Sequence, residues 1–311
     1  MTTAFITHKD CLGHITPDQH PETKDRLLSI LKAIEDIDNQ DLVRESAPLG
    51  NEKDILRVHP LSYIKKIMSE SPSTGIKALD ADTFMSPGSL AAAYRGVGAV
   101  VCAVDLVMGK KVRNAFAAIR PPGHHAEKET SMGFCFFGNA AIAASYALEH
   151  YGLSRVAVVD FDVHHGNGTQ DLLWDEARTL FVSSHQSPLW PGTGSSTETG
   201  SFNNIINLPL DPNTDGKEFR AIYEKVVFPA LESFSPELII ISAGFDAHIA
   251  DPLANLNLTN KDFEWVTERL CDVADFCCDG RIVSTLEGGY DLEALAASVK
   301  LHLEVLLKRG H

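Results

Sequence analysis

Residues Val156–Asp171 read VAVVDFDVHHGNGTQD. The run from Val156 to Val159 is wholly apolar, as in a strand covered on both faces. Beyond it Asp160, Asp162 and His164 fall at i, i+2 and i+4, so on an extended chain their side chains leave the same face. His165 follows at once, and Gly166-Asn167-Gly168 ends the strand. A buried strand that finishes in carboxylates and an imidazole has the makings of a metal site, and three other stretches of the chain finish in comparable chemistry.

Asn114–Ile119 runs straight into Arg120-Pro-Pro-Gly-His-His-Ala126. Glu237–Ser242 runs into Ala243-Gly-Phe-Asp246, and Arg281–Leu286 into Glu287-Gly-Gly-Tyr290. In open α/β sheets ligands sit beyond the carboxyl ends of the strands, and a parallel sheet brings all of these ends to one edge. Asp162, His164 and Asp246 then supply two carboxylates and one imidazole. Three protein ligands with one position open is the arrangement of a catalytic zinc site, although so oxygen-rich a set would also accept a ferrous ion. Beside a metal, His124 and His125 can act as base and electrostatic partner in activating water. Asp160 is placed to hold one of them through a ring N–H. The two glycines before Tyr290 permit a tight turn that aims its phenol into the site, where it can donate to a developing oxyanion. Taken singly, these motifs would pass for a strand-end salt bridge, a loop His-His and a packed tyrosine; their convergence argues otherwise.

The rest of the chain supports one α/β domain spanning residues 1–311. Apolar strands alternate with helices, with no linker and no internal repeat, so about eight strands should form a mainly parallel sheet flanked by helices. Strands are expected at 3–7, 41–47, 114–119, 156–161, 179–184, 204–208, 237–242 and 281–286. Helices are expected from Thr23 to about Asp38, over 54–69 with Pro60 interrupting or capping its second part, and over 89–109, 138–151, 216–234 and 259–278. A last helix is capped by Asp291. Residues 71–88 read as a long loop of the kind that is often functional or mobile. Its Asp80 and Asp82 could anchor a substrate backbone but read more readily as solvated carboxylates, and His8, His14 and His20 read as polar loop residues.

Composition narrows the function classes. The 311 residues are 44% hydrophobic and 22% charged, ordinary for a globular protein, with a formal net charge of −15. That charge argues against broad nucleic-acid binding, which depends on neutralising phosphates. The six cysteines include no C-x-x-C pair and read as reduced thiols of a cytoplasmic protein. The N-terminal MTTAFITHKD lacks the basic and apolar regions of a signal peptide. The apolar stretch Val97–Met108 is short and carries Asp105, so it reads as a core helix and no membrane association is expected.

Assembled, these residues resemble the zinc-dependent histone deacetylase family, in particular its class II-like and bacterial acetoin-utilisation-like branch. The resemblance runs over nearly the whole chain. It rests on HPETKDR (His20–Arg26), RPPGHHA (Arg120–Ala126), GFCFFGNAA (Gly133–Ala141), VVDFDVHHGNGTQ (Val158–Gln170), PGTG (Pro191–Gly194), GFDAHIADPL (Gly244–Leu253) and EGGY (Glu287–Tyr290). It implies the arginase-like α/β fold and hydrolysis of an N-acetyl amide, typically on lysine. By motif position it makes Asp162, His164 and Asp246 the ligands of a single Zn2+. His124 and His125 become the histidine pair, with His125 as general base and acid, Asp160 the partner of His124, and Tyr290 the oxyanion donor. Gly133, Phe134 and Trp190 line an acyl-lysine tunnel, Trp190 standing where phenylalanine is common. Arg26 lies near an inner acetate channel. A structural K+ would draw on Asp160, Asp162, His164 and Ser183. Asn167 replaces an aspartate that class I members pair with the second histidine. The expected substrate is an acetyl-lysine peptide or protein, with small acetylated amines such as acetylpolyamines as the alternative. An inactive acyl-lysine-binding scaffold would be expected to lack a ligand or Tyr290. A two-metal ureohydrolase would want further carboxylates where Gly166 and His248 stand.

Overall fold

The computed structural model describes residues 2–37 and 40–310. Its strands are β1 (Thr3–Thr7), β2 (Leu42–Ser46), β3 (Lys77–Ala78), β4 (Phe84–Met85), β5 (Asn114–Ala117), β6 (Val156–Asp160), β7 (Thr179–Gln186), β8 (Ile205–Leu210), β9 (Leu238–Ala243) and β10 (Ile282–Leu286). Eight of them form one sheet in the order β2-β1-β5-β10-β9-β6-β7-β8. Every pairing in it is parallel, so the sheet is wholly rather than mainly so. Parallel sheets need cover on both faces, and the central strands β6 and β9 are buried at every position. The helices Asn260–Cys278 and Leu292–Lys308 pack together on one side, where the His302 ring reaches Ser284 of β10. Ser89–Met108 and Asn139–His150 pair with each other on the sheet as well.

The order of strands positions the site. β5, β10, β9 and β6 are consecutive neighbours at the centre, so the four motif-bearing ends lie side by side at the carboxyl edge. β8 is an edge strand that runs through Pro209, which has no N–H to donate and is tolerated there for that reason.

Several helices differ from expectation for identifiable reasons. The first spans Lys24–Ala33; the expected end near Asp38 lies outside the described residues. Pro60 caps the second of two pieces, Glu52–Ile55 and Leu61–Glu70. The helical run 216–234 widens by one π turn at Tyr223–Val227, just before Pro229, whose missing N–H cannot continue the α pattern. A short helix, Asn167–Leu173, follows the loop after β6 where only a strand break was expected. Within 71–88, β3 and β4 form a small antiparallel ribbon.

Ser89–Met108 is long and apolar enough, by length and composition alone, to cross a membrane. Here it packs against β1, β5 and β10. Its one acid, Asp105, accepts hydrogen bonds from the hydroxyls of Tyr146 at 2.8 Å and Tyr151 at 2.9 Å. Gly98 lets this helix touch the segment 48–50: a Cβ there would run into the Pro48 carbonyl and the Gly50 nitrogen. Gly98→Ala is therefore expected to destabilise the protein by about 2 kcal/mol. The check is urea unfolding, with a lower midpoint at an unchanged slope.

Candidate metal centre

The chain leaves β6 by a sequence of carboxylate turns. Asp160 is the last strand residue, and its Oδ1 accepts the Asp162 N–H at 3.0 Å. Asp162 Oδ1 in turn accepts the His164 N–H at 2.9 Å. Such side-chain bonds to the backbone two residues on bend a chain. Asp160, Asp162 and His164 thus do not share one extended face as their spacing suggested. The strand stops at Asp160, and Asp162 and His164 project from the bend beyond it. Asp246, just past β9, is tied to the same bend by the Val163 N–H, which donates to its Oδ1 at 2.9 Å. The Gly288 N–H, past β10, donates to Asp162 Oδ2 at 2.8 Å.

His164 Nδ1 lies 3.2 Å from Asp162 Oδ1 and 3.2 Å from Asp246 Oδ2. Donor atoms at bond lengths of about 2.0–2.1 Å around a tetrahedral ion are separated by roughly 3.3–3.5 Å, and both His164 distances are close to that spacing. One donor atom from each of the three residues falls within 4.8 Å of the others, and all three residues are buried. The electrostatics agree. Burial pushes the His164 imidazole down, yet its bonds and charge contacts with Asp162 and Asp246 lift its pKa to about 10. The Asp246 carboxyl is pushed up by burial and by the Asp162 charge. Two carboxylates and an imidazole are thus buried against one another, a group that could bind a metal ion.

The tandem histidines lie beside it with rings 3.9 Å apart. His124 Nδ1 is 2.9 Å from Asp160 Oδ2, while its Nε2 is 3.7 Å from Asp162 Oδ2. Burial opposes its charge, but Asp162 and Asp160 overcome that and hold its pKa well above the ordinary value. His125 is the reverse. Burial and the charges of His124 and His164 hold it well below the ordinary value. Its Nδ1 is 2.7 Å from Asn167 Oδ1. The Asn167 amide nitrogen is directed at Glu127 Oε1 (2.8 Å), so the amide oxygen faces His125 and takes the Nδ1 proton. That leaves His125 Nε2 as a free acceptor. Glu287 fastens this turn from below, accepting the N–H groups of Gly123 at 2.7 Å and His124 at 3.1 Å.

Tyr290 is held by its backbone. Arg26 donates to Gly289 O at 2.6 Å and Glu287 O at 2.5 Å, and Asp251 Oδ2 accepts the Tyr290 N–H at 2.7 Å. Burial pushes the phenol well above its ordinary pKa, so it stays a proton donor. The Arg26 guanidinium lies 4.8 Å from the ring centre. Behind it Glu22 bridges Arg26 (3.0 Å) and Arg120 (2.5 Å), with His14 at 3.4 Å, all buried. Spacing in the sequence does not mark Glu22, Arg120, Asp251 or Glu287 as site residues, apart from the i, i+4 placement of Glu22 and Arg26 in HPETKDR that an ion pair can use.

Gly133, Phe134 and Trp190 do converge on the site. The Trp190 ring is 4.7 Å from His125 and 6.1 Å from His164, and Phe134 is 5.9 Å from Tyr290. Gly133 lies against both His125 and Trp190, since a Cβ there would strike them. Asp82 is not simply solvated: it is half-buried and accepts the Gly133 N–H at 3.1 Å. His20 is not a plain surface residue either, packing edge-on to Phe134 at 4.7 Å. Ser183 stands beside Asp160 in register on β7. His165 binds Thr193 and Gln170 instead of the metal trio, securing the loop after Trp190.

Comparison with known proteins places these features in company. A family model described as a histone deacetylase domain matches residues 20–306. A probable deacetylase of Archaeoglobus fulgidus is 36% identical over 94% of this chain and 82% of its own length. A histone deacetylase-like amidohydrolase of Pseudomonas aeruginosa is 38% identical over 88% of this chain and 72% of its own. The crystal structure of the HDA15 HD domain superposes with a TM-score of 0.93 at 32% identity, covering 99% of this chain and 89% of that one.

The buried ion network yields a stability test. Burial raises the Glu22 carboxyl, but Arg120, His14 and Arg26 outweigh it and hold it well below the ordinary value. The stabilisation is therefore present above the unfolded carboxylate value and fades as pH falls through the depressed folded one. Glu22→Gln, which strands two buried arginines, should cost about 3–5 kcal/mol at pH 7. Denaturant midpoints measured from pH 7 downward should show the gap to wild type narrowing in acid.

Proposed function

This chain belongs to the histone deacetylase family, and on that premise we propose that it is a zinc-dependent deacetylase of acetyl-lysine in peptides or proteins, releasing acetate and the free amine. The observation that carries the reading is the contrast between the tandem histidines beside the three donors: His124 Nδ1 bonds the Asp160 carboxylate, while His125 Nδ1 bonds the Asn167 amide oxygen and leaves its Nε2 free. Environments that drive two titratable groups apart assign base and electrostatic roles to them.

A zinc ion on Asp162, His164 and Asp246 would supply Lewis acidity toward the amide carbonyl and lower the pKa of water. The chain's own residues then do the rest. His125 Nε2 takes the proton of the attacking water, with Asn167 fixing the tautomer through Nδ1. His124, held charged by Asp160, stabilises negative charge forming beside it. The Tyr290 phenol donates to the oxyanion of the tetrahedral intermediate. The proton on His125 passes to the departing nitrogen as the C–N bond breaks, so amide and water become acetate and amine. Gly133, Phe134 and Trp190 wall a slot for an unbranched chain.

Other parts of the reading have narrower support. A structural potassium ion would draw on Asp160, Asp162, His164 and Ser183, of which Asp160 and Ser183 are in register across β6 and β7 and Asp162 and His164 lie in the bend that follows. Six free cysteines suit a cytoplasmic setting. The net charge of −15 favours cationic substrates, which include acetylpolyamines as the second candidate class. A two-metal ureohydrolase is disfavoured because a side chain at Gly166 would strike the Asp160 carboxylate, and His248 Nδ1 accepts the Ala250 N–H at 3.1 Å. An inactive scaffold is disfavoured by the presence of every ligand and of Tyr290.

The test is acetate release from a panel of acetyl-lysine peptides, longer acyl-lysines and acetylpolyamines by zinc-loaded protein, with and without chelator. Chelator-sensitive release, greatest on acetyl-lysine peptides, is expected; no release from any acyl amine would leave the scaffold reading. Tyr290→Phe should lower turnover about 10²–10³-fold at unchanged zinc content. Near-normal turnover in that variant would rule out the oxyanion role.

A further inference from the structure

The wall residues Gly133 and Phe134 are the two central residues of a tight turn, Met132–Cys135, closed by the Cys135 N–H to Met132 O at 2.9 Å. Both lie in the left-handed region, at φ +55° and +69°. Two consecutive positive φ values are the pattern of a type I′ turn, which asparagine and glycine adopt readily and phenylalanine does not. A bulky residue persists in that region only where its surroundings over-determine it.

The surroundings that do so belong to the segment 77–85, the small ribbon made by β3 and β4. Asp82 Oδ1 accepts the Gly133 N–H at 3.1 Å, and Thr83 Oγ1 accepts the Phe134 N–H at 3.1 Å. Thr83 Oγ1 also donates to Asp82 Oδ1 at 2.9 Å, which locks the two acceptors together. Asp80 Oδ1 fixes their backbone, taking the Asp82 N–H at 3.0 Å and the Thr83 N–H at 2.7 Å. The Leu79 N–H closes the ribbon onto Thr83 O at 2.8 Å. Thr83 is fully buried, although it sits in a stretch whose composition reads as an exposed loop. Beyond the turn, the Phe134 ring is wedged between His20 at 4.7 Å and Tyr290 at 5.9 Å, and His20 Nε2 bonds Asp82 O at 3.0 Å.

We infer that Thr83 is a positioning residue for the substrate wall: its hydroxyl holds Phe134 in a backbone conformation that phenylalanine would otherwise leave. The ribbon is then a clamp on the width of the slot, and it acts on substrate binding more than on the bond-breaking step. The kinetic part rests on the proposed function; the conformational part does not.

Thr83→Val keeps the β-branched shape and removes the hydroxyl, while Thr83→Ser keeps the hydroxyl and removes the methyl. Two measurements on the zinc-loaded full chain decide the matter. Amide hydrogen exchange over residues 131–137 should quicken about tenfold in T83V, as for the loss of one hydrogen bond, and return to the wild-type rate in T83S. With an acetyl-lysine peptide, T83V should raise KM about tenfold with kcat within about twofold, and T83S should restore KM. Wild-type exchange in T83V, or a T83S variant that behaves like T83V, overturns the inference. If T83V does not fold, T83A carries the same comparison against T83S. A wild-type protein that turns over no acetylated amine would sink the proposed function, and the exchange measurement would still decide this one.

Discussion

Two carboxylates, Asp162 and Asp246, are buried side by side at the carboxyl edge of the sheet, and that placement constrains everything around them. An ionised carboxylate taken out of water is tolerated only when it is paired and hydrogen-bonded. The backbone supplies part of the answer: the N–H groups of His164 and Gly288 reach Asp162, and that of Val163 reaches Asp246. His164 supplies another part by standing between them. The family to which the chain belongs is generally metal-dependent, and this buried Asp/His/Asp group could bind a metal.

Buried carboxylates and their partners extend outward from that group. Asp160 sits under His124, Glu287 under the turn that carries His124 and His125, and Asp251 under Tyr290. Arg26 reaches around the last turn and is itself matched by Glu22, which also holds Arg120 at the base of the first turn. The ends of β5, β6, β9 and β10 are therefore bound to one another by side chains as well as by the sheet. Such a network is demanding to bury and unforgiving of partial removal. Those properties suit a centre whose groups must be held to within fractions of an ångström.

Much of this was legible in the residues. The eight sheet strands, the strand-end motifs and the convergence of Asp162, His164, Asp246, His124, His125 and Tyr290 followed from apolar runs and from where parallel strands must end. Local geometry was less visible. Spacing alone put Asp160, Asp162 and His164 on one strand face, because side-chain bonds that bend the chain at Asp160 carry no periodic signal. Residues 71–88 have the composition of a loop, and their importance lies in contacts to Gly133 and Phe134 some fifty positions away. Asp251, Glu287 and Arg120 were hidden for the same reason: each acts on backbone groups of a distant turn, and long-range partnerships of that kind leave no mark in a single sequence.

We propose that these strand ends build a single-ion centre from one imidazole and two carboxylates. X-ray absorption spectroscopy of the zinc-loaded protein reads this out: one zinc per chain is expected, with only nitrogen and oxygen neighbours at about 2.0–2.2 Å, and loss of that signal in Asp246→Ala. A sulfur neighbour at about 2.3 Å, or a second metal at about 3.5–4 Å, would contradict it.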